Sequence, residues 1–114
     1  MPILTIEQAI DHCRADPQED AVMVELYLGA AIDAAQDYLG RKVYADQAEM
    51  EAAVTAGTAG EMPMVATYAI RAAMLLICGH LFANREDVVT GTIATTMPMG
   101  SRDLLRPHRK VQGL

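Results

Sequence analysis

Between Pro63 and about Asn84 the chain is apolar on nearly every side of a helix, and any fold it adopts must bury that segment. Val65, Ala69, Ile70, Ala72, Ala73, Met74, Leu75, Leu76, Ile77, Leu81 and Phe82 go almost all the way round at helical spacing. A helix of this kind belongs at the centre of a bundle. A transmembrane span is the competing reading. Arg71 and His80 oppose it, because the uninterrupted part, Ala72 to Gly79, is far shorter than the roughly 20 residues a bilayer requires. Pro63 suits the first helical position, where its missing N–H costs nothing.

The covering elements precede this helix. Thr5 and Gln8 form a capping-box pattern, and Ile6, Ala9, Ile10 and Cys13 follow at helical spacing until Asp16-Pro17 ends the helix. A second helix is expected from about Glu19 to Leu39, with Glu19 and Asp20 in its first turn, where the helix dipole favours negative charge. Its apolar stripe reads Val22, Leu26, Ala30, Ala34 and Tyr38, flanked by Met23, Tyr27, Ala31 and Leu39, and Gly40 terminates it. Gly29, Ala30, Ala31, Ala34 and Ala35 would let another helix approach closely. Residues 41–62 read as a connector, with a short helix from Asp46, its cap, to Ala56 and a glycine-marked break at Gly57-Thr58-Ala59-Gly60.

Beyond the buried helix, residues 87–100 are expected to lie outside any helix. Val88, Val89, Thr90, Thr92, Ile93 and Thr95 favour extended structure, and Gly91 is available for a turn. A loop this long in a small domain is usually functional or ordered by a partner. Ser101 then caps a short helix from Arg102 to Arg106, which Pro107 ends. The fold class is therefore all-α: a small helical bundle with two long helices, shorter helices and a long non-helical loop able to form a hairpin. At 114 residues the chain fits one domain, 1–114, with 87–100 as a protruding loop and 101–114 as a short helix and tail. Folding would bury roughly two-thirds of the unfolded surface, enough for a core without disulfide or metal. That core is aliphatic and rich in methionine, with eight Met, one Phe and no Trp. So many Met read first as core filler and second as an adaptable binding surface.

Charge and chemistry narrow the function. The net charge is −6, but residues 1–61 carry a balance of −9 and residues 62–114 a balance of +3. The basic part ends in Arg102, Arg106, His108, Arg109 and Lys110. An acidic chain with a basic tail can dock on copies of itself or on an acidic partner, and it lacks the uniformly basic face of a general DNA binder. Cys13 and Cys78 match no disulfide framework, and Met1-Pro2-Ile3-Leu4 has neither the basic start nor the apolar stretch of a signal peptide, so a reduced, cytosolic origin is expected.

His12, Cys13, Cys78 and His80 are potential zinc ligands. Helix neighbours point about 100° apart and residues two apart about 200°, so neither pair within its own helix could chelate one ion or serve as nucleophile and base. Cys78 with His80 also lacks a visible orienting third group. No phosphate-cradling glycine loop and no basic patch interleaved with aromatics is present in the sequence. Asn84-Arg85-Glu86-Asp87 reads either as a helix end with a weak surface ion pair or as a contact with a neighbouring subunit or partner.

One ordered set of residues runs along nearly the whole chain: Leu4-Thr5-Ile6-Glu7-Gln8-Ala9, His12, Arg14 and Glu19-Asp20, then Tyr27, Ala30-Ala31, Tyr38 and Leu39-Gly40-Arg41. Its most specific portion is Leu75-Leu76, Gly79-His80-Leu81-Phe82, Asn84-Arg85-Glu86, Met97-Pro98-Met99-Gly100 and Leu104-Leu105-Arg106-Pro107-His108-Arg109. In this order and spacing the chain resembles the head–tail connector proteins, also called DNA-packaging or neck adaptor proteins, of long-tailed double-stranded DNA bacteriophages. The family often carries Lys where Ile10 stands and Leu where Cys13 stands.

The resemblance implies a non-enzymatic structural subunit without cofactor or metal. Its partners would be copies of itself in a ring, usually of twelve in the virion, the portal protein, and a downstream neck or tail-completion protein. DNA would pass through the channel without sequence-specific binding, and no membrane is involved. The implied location is the virion neck, with the bacterial host cytoplasm as the place of assembly. The loop and C-terminal segment would carry much of the contact, so the candidate subunit or portal contacts are Asn84, Arg85, Glu86, Val89, Ile93, Arg102, Leu104, Leu105, Arg106 and Arg109. The alternative is a small regulatory protein-binding module acting as a dimer.

Overall fold

The computed structural model describes residues 2–84 and 99–110. Among them five α-helices surround one apolar core: α1 (Ile6–Cys13), α2 (Ala21–Leu39), α3 (Gln47–Ala56), α4 (Tyr68–Ala83) and α5 (Met99–Leu105), the last followed by a single 3₁₀ turn at Arg106–His108. A two-residue parallel ladder joins β1 (Val43–Tyr44) to β2 (Met64–Val65). The all-α class holds, with this ladder as a small addition.

Local signals start and stop most of these helices. Thr5 accepts the Gln8 backbone N–H (3.1 Å) while the Gln8 side chain accepts that of Thr5 (2.8 Å), which completes the capping box of α1. α1 ends at Cys13, before Asp16-Pro17, because Arg14 turns left-handed with φ 54° and donates its N–H to Asp11. The Asp16 carboxylate accepts the N–H groups of Gln18 and Glu19, and Asp20 accepts the N–H of Asp16. This closed turn holds Glu19 and Asp20 outside the helix, so α2 begins at Ala21. Gly40 (φ 69°) ends α2 in the left-handed conformation that glycine adopts at no steric cost. Asp46 caps α3 through the N–H of Glu49 (2.8 Å).

Pro63 does not open the buried helix. Met64 donates to Lys42 O (3.0 Å) and Ala66 to Tyr44 O (2.8 Å), so this stretch is extended, and Thr67 caps α4 by accepting the Ile70 N–H (3.2 Å). Pairing with β1 and a proper hydroxyl cap outweigh the weaker start signal of proline.

The second helix buries a different stripe from the one its i, i+4 row suggests. Val24, Tyr27, Leu28, Ala31, Ala35 and Leu39 face the core, whereas Val22 (76%) and Leu26 (61%) are exposed. A row of i, i+4 residues drifts by about 40° per step. The row that starts at Val22 on the outward side therefore turns gradually toward the core, and Ala30, Ala34 and Tyr38 are half-buried against it. The acidic residues Glu25, Asp33 and Asp37 share the outward side and leave the other face for packing.

α4 is the central element, packed by α1, α2 and α5. Ile70, Ala73, Met74, Ile77, Cys78 and Leu81 are buried along it, and Tyr27 meets Phe82 edge-on at 6.5 Å between ring centroids. Tyr68 and Leu76 reach the surface, so α4 is less enclosed than its composition suggests. The β ladder places the start of α4 at the end where α2 finishes, so these two helices run antiparallel. Gly100 lies against Leu76, and the Lys110 N–H bonds Leu39 O (2.8 Å), so α5 runs back in the direction of α2.

Candidate assembly surface

The C-terminal segment is tied to the body by groups that its sequence does not reveal. Leu105 and Ser101 have no exposed surface and belong to the subunit's own core. Ser101 therefore lies inside α5 and does not cap it, and Met99 and Gly100, expected in the loop, are already helical. Beyond the 3₁₀ turn the Arg109 guanidinium sits 4.8 Å from the centre of the Tyr38 ring, within cation–π range. Lys110 pairs with Glu61, and that ammonium holds the Glu61 carboxyl below its ordinary range through hydrogen bond and charge. Arg41 spans two segments, donating to Met62 O (2.6 Å) and His108 O (3.1 Å).

The ten contact candidates separate into groups. Asn84 caps α4: its N–H and its side-chain amide both donate to His80 O. Arg85, Glu86, Val89 and Ile93, and with them the expected loop and hairpin, lie outside the described residues. Leu105 faces inward, so its side chain has no surface left for a neighbour, and Leu104 is half-buried against the core. Arg102 is half-buried, whereas Arg106 and Arg109 are exposed. Arg102 thus lies within α5, Arg106 opens the 3₁₀ turn, and Arg109 follows that turn against Tyr38 of α2.

Opposite in character is the outward side of α2. Residues 15–40 contain no Lys or Arg, and Glu25, Asp33 and Asp37 are exposed beside Val22, Met23 and Leu26. The apolar stripe of the sequence points these three residues to the core, and the packed helix leaves them outside. The positions of the acidic residues, which mark the solvent side of α2, were the signal that could have assigned them to the surface.

Arg71 was visible in the sequence only as an interruption of an apolar run. It joins three segments, donating to Ile3 O (3.2 Å) and Ala45 O (3.0 Å) from the first turn of α4. The shallow groove beside it is lined by Ile3, Leu4, Tyr68, Ala72 and Leu75.

The histidines and cysteines are arranged across helices and not within them. Cys13 Sγ lies 3.9 Å from Cys78 Sγ, and His12 packs on Gly79 so closely that a Cβ there would stand 2.9 Å from its Nε2. Both cysteines are free. Burial, reinforced by the neighbouring Cys13, pushes the Cys78 thiol up to about 12, and burial also raises Cys13. Thiols so shifted are poor nucleophiles at neutral pH. His80 lies instead beside Asn84, its Nδ1 3.4 Å from the Asn84 amide. Among the described residues no group of three or more His, Cys, Asp or Glu could hold a metal ion, and no helix is long and apolar enough to cross a membrane.

A helical subunit with an acidic, partly apolar face on α2 and a basic exit from α5 is suited to contact other proteins. The comparisons agree. The family model described as phage gp6-like head-tail connector protein matches residues 3–109, nearly the full chain and every element described above. No curated protein and no solved structure gave a significant match. The matched family is a structural one and not an enzyme family, and its place is the phage neck between portal and tail proteins. With 3–109 of 114 residues covered, the chain belongs to the phage gp6-like head-tail connector family.

Proposed function

We propose that this connector subunit assembles with copies of itself into a ring beneath the portal, extends the DNA channel and joins head to tail. The observation that carries the reading is the family match across residues 3–109. Twelve copies in the virion, contact with the portal above and with a neck or tail-completion protein below, and assembly in the host cytoplasm belong to the same proposal. So does the reading of residues 1–114 as one connector domain.

The charge distribution supports it. Unlike surfaces on one subunit favour heterologous contacts, the kind that generate rings when the rotation closes. An acidic wall would let DNA slide past without sticking, since phosphate binding requires Lys and Arg and releases counterions. Arg102, Arg106 and Arg109 are the described candidates for neighbour or portal contact, with Asn84 at the exit of α4 and Leu104 beside them.

Charge reversal tests it directly. Full-length protein carrying R102E, R106E and R109E is expected to lose ring formation in native mass spectrometry under conditions where the unaltered chain forms rings. Rings from the triple variant would remove the basic segment from the mechanism, and a discrete dimer of the unaltered chain would favour a regulatory module over a connector.

A further inference from the structure

Val22 and Leu26 are 76% and 61% exposed on the side of α2 that faces directly away from its packed face. Met23 (40%) flanks them. Two large aliphatic side chains one turn apart, on the outside of a helix that already has a well-packed inner face, call for a partner. Asp33 and Asp37 continue the same outward line toward the end of α2. The outward line of α5 and the turn that follows it is Met99, 77% exposed, then Asp103, then Arg106. Both lines begin apolar and end in charge: Asp33 and Asp37 on α2, and, past the acidic Asp103, the basic Arg106 at the exit of α5.

The spacing matches as well as the charge. Leu26 precedes Asp33 by seven residues in α2, and Met99 precedes Arg106, the first residue of the 3₁₀ turn that continues α5, by seven; each span is about 10 Å. In that register Asp103 falls opposite Ala30, where no carboxylate opposes it.

Within one subunit the Lys110 N–H is bonded to Leu39 O, which places the exit of α5 beside the end of α2. α2 and α5 run in the same direction, and a rotation about an axis along the bundle preserves direction. Such a rotation would set the α2 line of one copy beside the α5 line of the next in parallel. Pairing α2 with α2 is disfavoured, because it would set Glu25, Asp33 and Asp37 against their own copies.

We infer that the outward face of α2, centred on Val22 and Leu26, is the surface on which the next copy of this chain seats α5, with Met99 against Leu26 and Arg106 against Asp33. This rests on the ring reading above and assigns its subunit contact.

The experiment uses the full-length chain in native mass spectrometry and sedimentation velocity. Leu26→Asp is expected to raise the concentration needed for rings at least tenfold. Its circular dichroism and thermal midpoint should match the unaltered chain, because Leu26 contributes little to the subunit's own core. Asp33→Arg alone should weaken assembly, Arg106→Asp alone should do the same, and the two together should restore it. A plain loss of fold could not produce that restoration. If the unaltered chain forms rings and Leu26→Asp assembles equally well, or if the double swap fails to rescue, the contact is overturned while the ring stands. If the unaltered chain stays monomeric at every concentration, the ring reading fails and the contact falls with it. Rings that persist while only portal binding is lost would give this face to the portal and overturn the assignment.

Discussion

Leu105 shows how little a residue's neighbours in the chain say about its role. It lies between Leu104 and Arg106 in a basic, proline-containing segment that reads as a contact tail, yet it is fully enclosed in the core. Leu105→Ala is therefore expected to cost about 2–5 kcal/mol of subunit stability, through lost burial and the cavity left behind. Urea denaturation of the monomer measures this; an unchanged midpoint would return Leu105 to the surface. Arg71 teaches the same lesson in reverse. A cation inside an apolar helix reads as a defect, but its guanidinium bonds two backbone carbonyls from distant segments.

At the scale of the element, the starts and stops divide by whether the signal is local. The Thr5–Gln8 box, the Asp46 cap and the Gly40 terminator were all legible, because each involves groups within four residues of one another. The start of α4 was not, because the extended stretch before it depends on β1, about twenty residues upstream in the chain. Thr67 is the hinge between ladder and helix, and Thr67→Ala is expected to destabilise the subunit by about 1 kcal/mol. Pro63→Ala, which would matter if proline opened the helix, should leave the α4 content unchanged; far-UV circular dichroism on both variants separates the two starts. The chosen face of α2 was half legible. Both sides of the helix carry apolar residues, and only the acidic positions distinguish them.

For the whole molecule, acid is the informative perturbation. Asp16 is held below its ordinary range by the Glu19 and Gln18 backbone N–H groups, and Glu61 by Lys110. A carboxyl with a lowered folded pKa contributes stability above its unfolded value, and that contribution is lost as pH falls through the folded value. The subunit should therefore lose stability below about pH 4, and the doubly altered D16N and E61Q chain should lose less over the same range. Both groups are fully exposed, so the effect is small and screened by salt. Urea midpoints at about pH 7 and about pH 3 for both chains check the sign; equal losses would show that neither carboxylate is linked to folding.

The chain alone determined that this is a helical protein with a buried α4, caps at known places and a division of charge between its halves. Those properties follow from periodicity, side-chain chemistry over a few residues and composition, none of which requires a partner in space. Tertiary structure decided which side of α2 turns inward, that Leu105 and Ser101 belong to the core, that residues 64 and 65 pair with a strand, and that two cysteines 65 positions apart come within 3.9 Å. Each of these depends on which surface an element meets, and α2 and α4 each carry more apolar surface than one neighbour can cover. What packing leaves outside, Val22 and Leu26 above all, is where the molecule has most to gain from another protein.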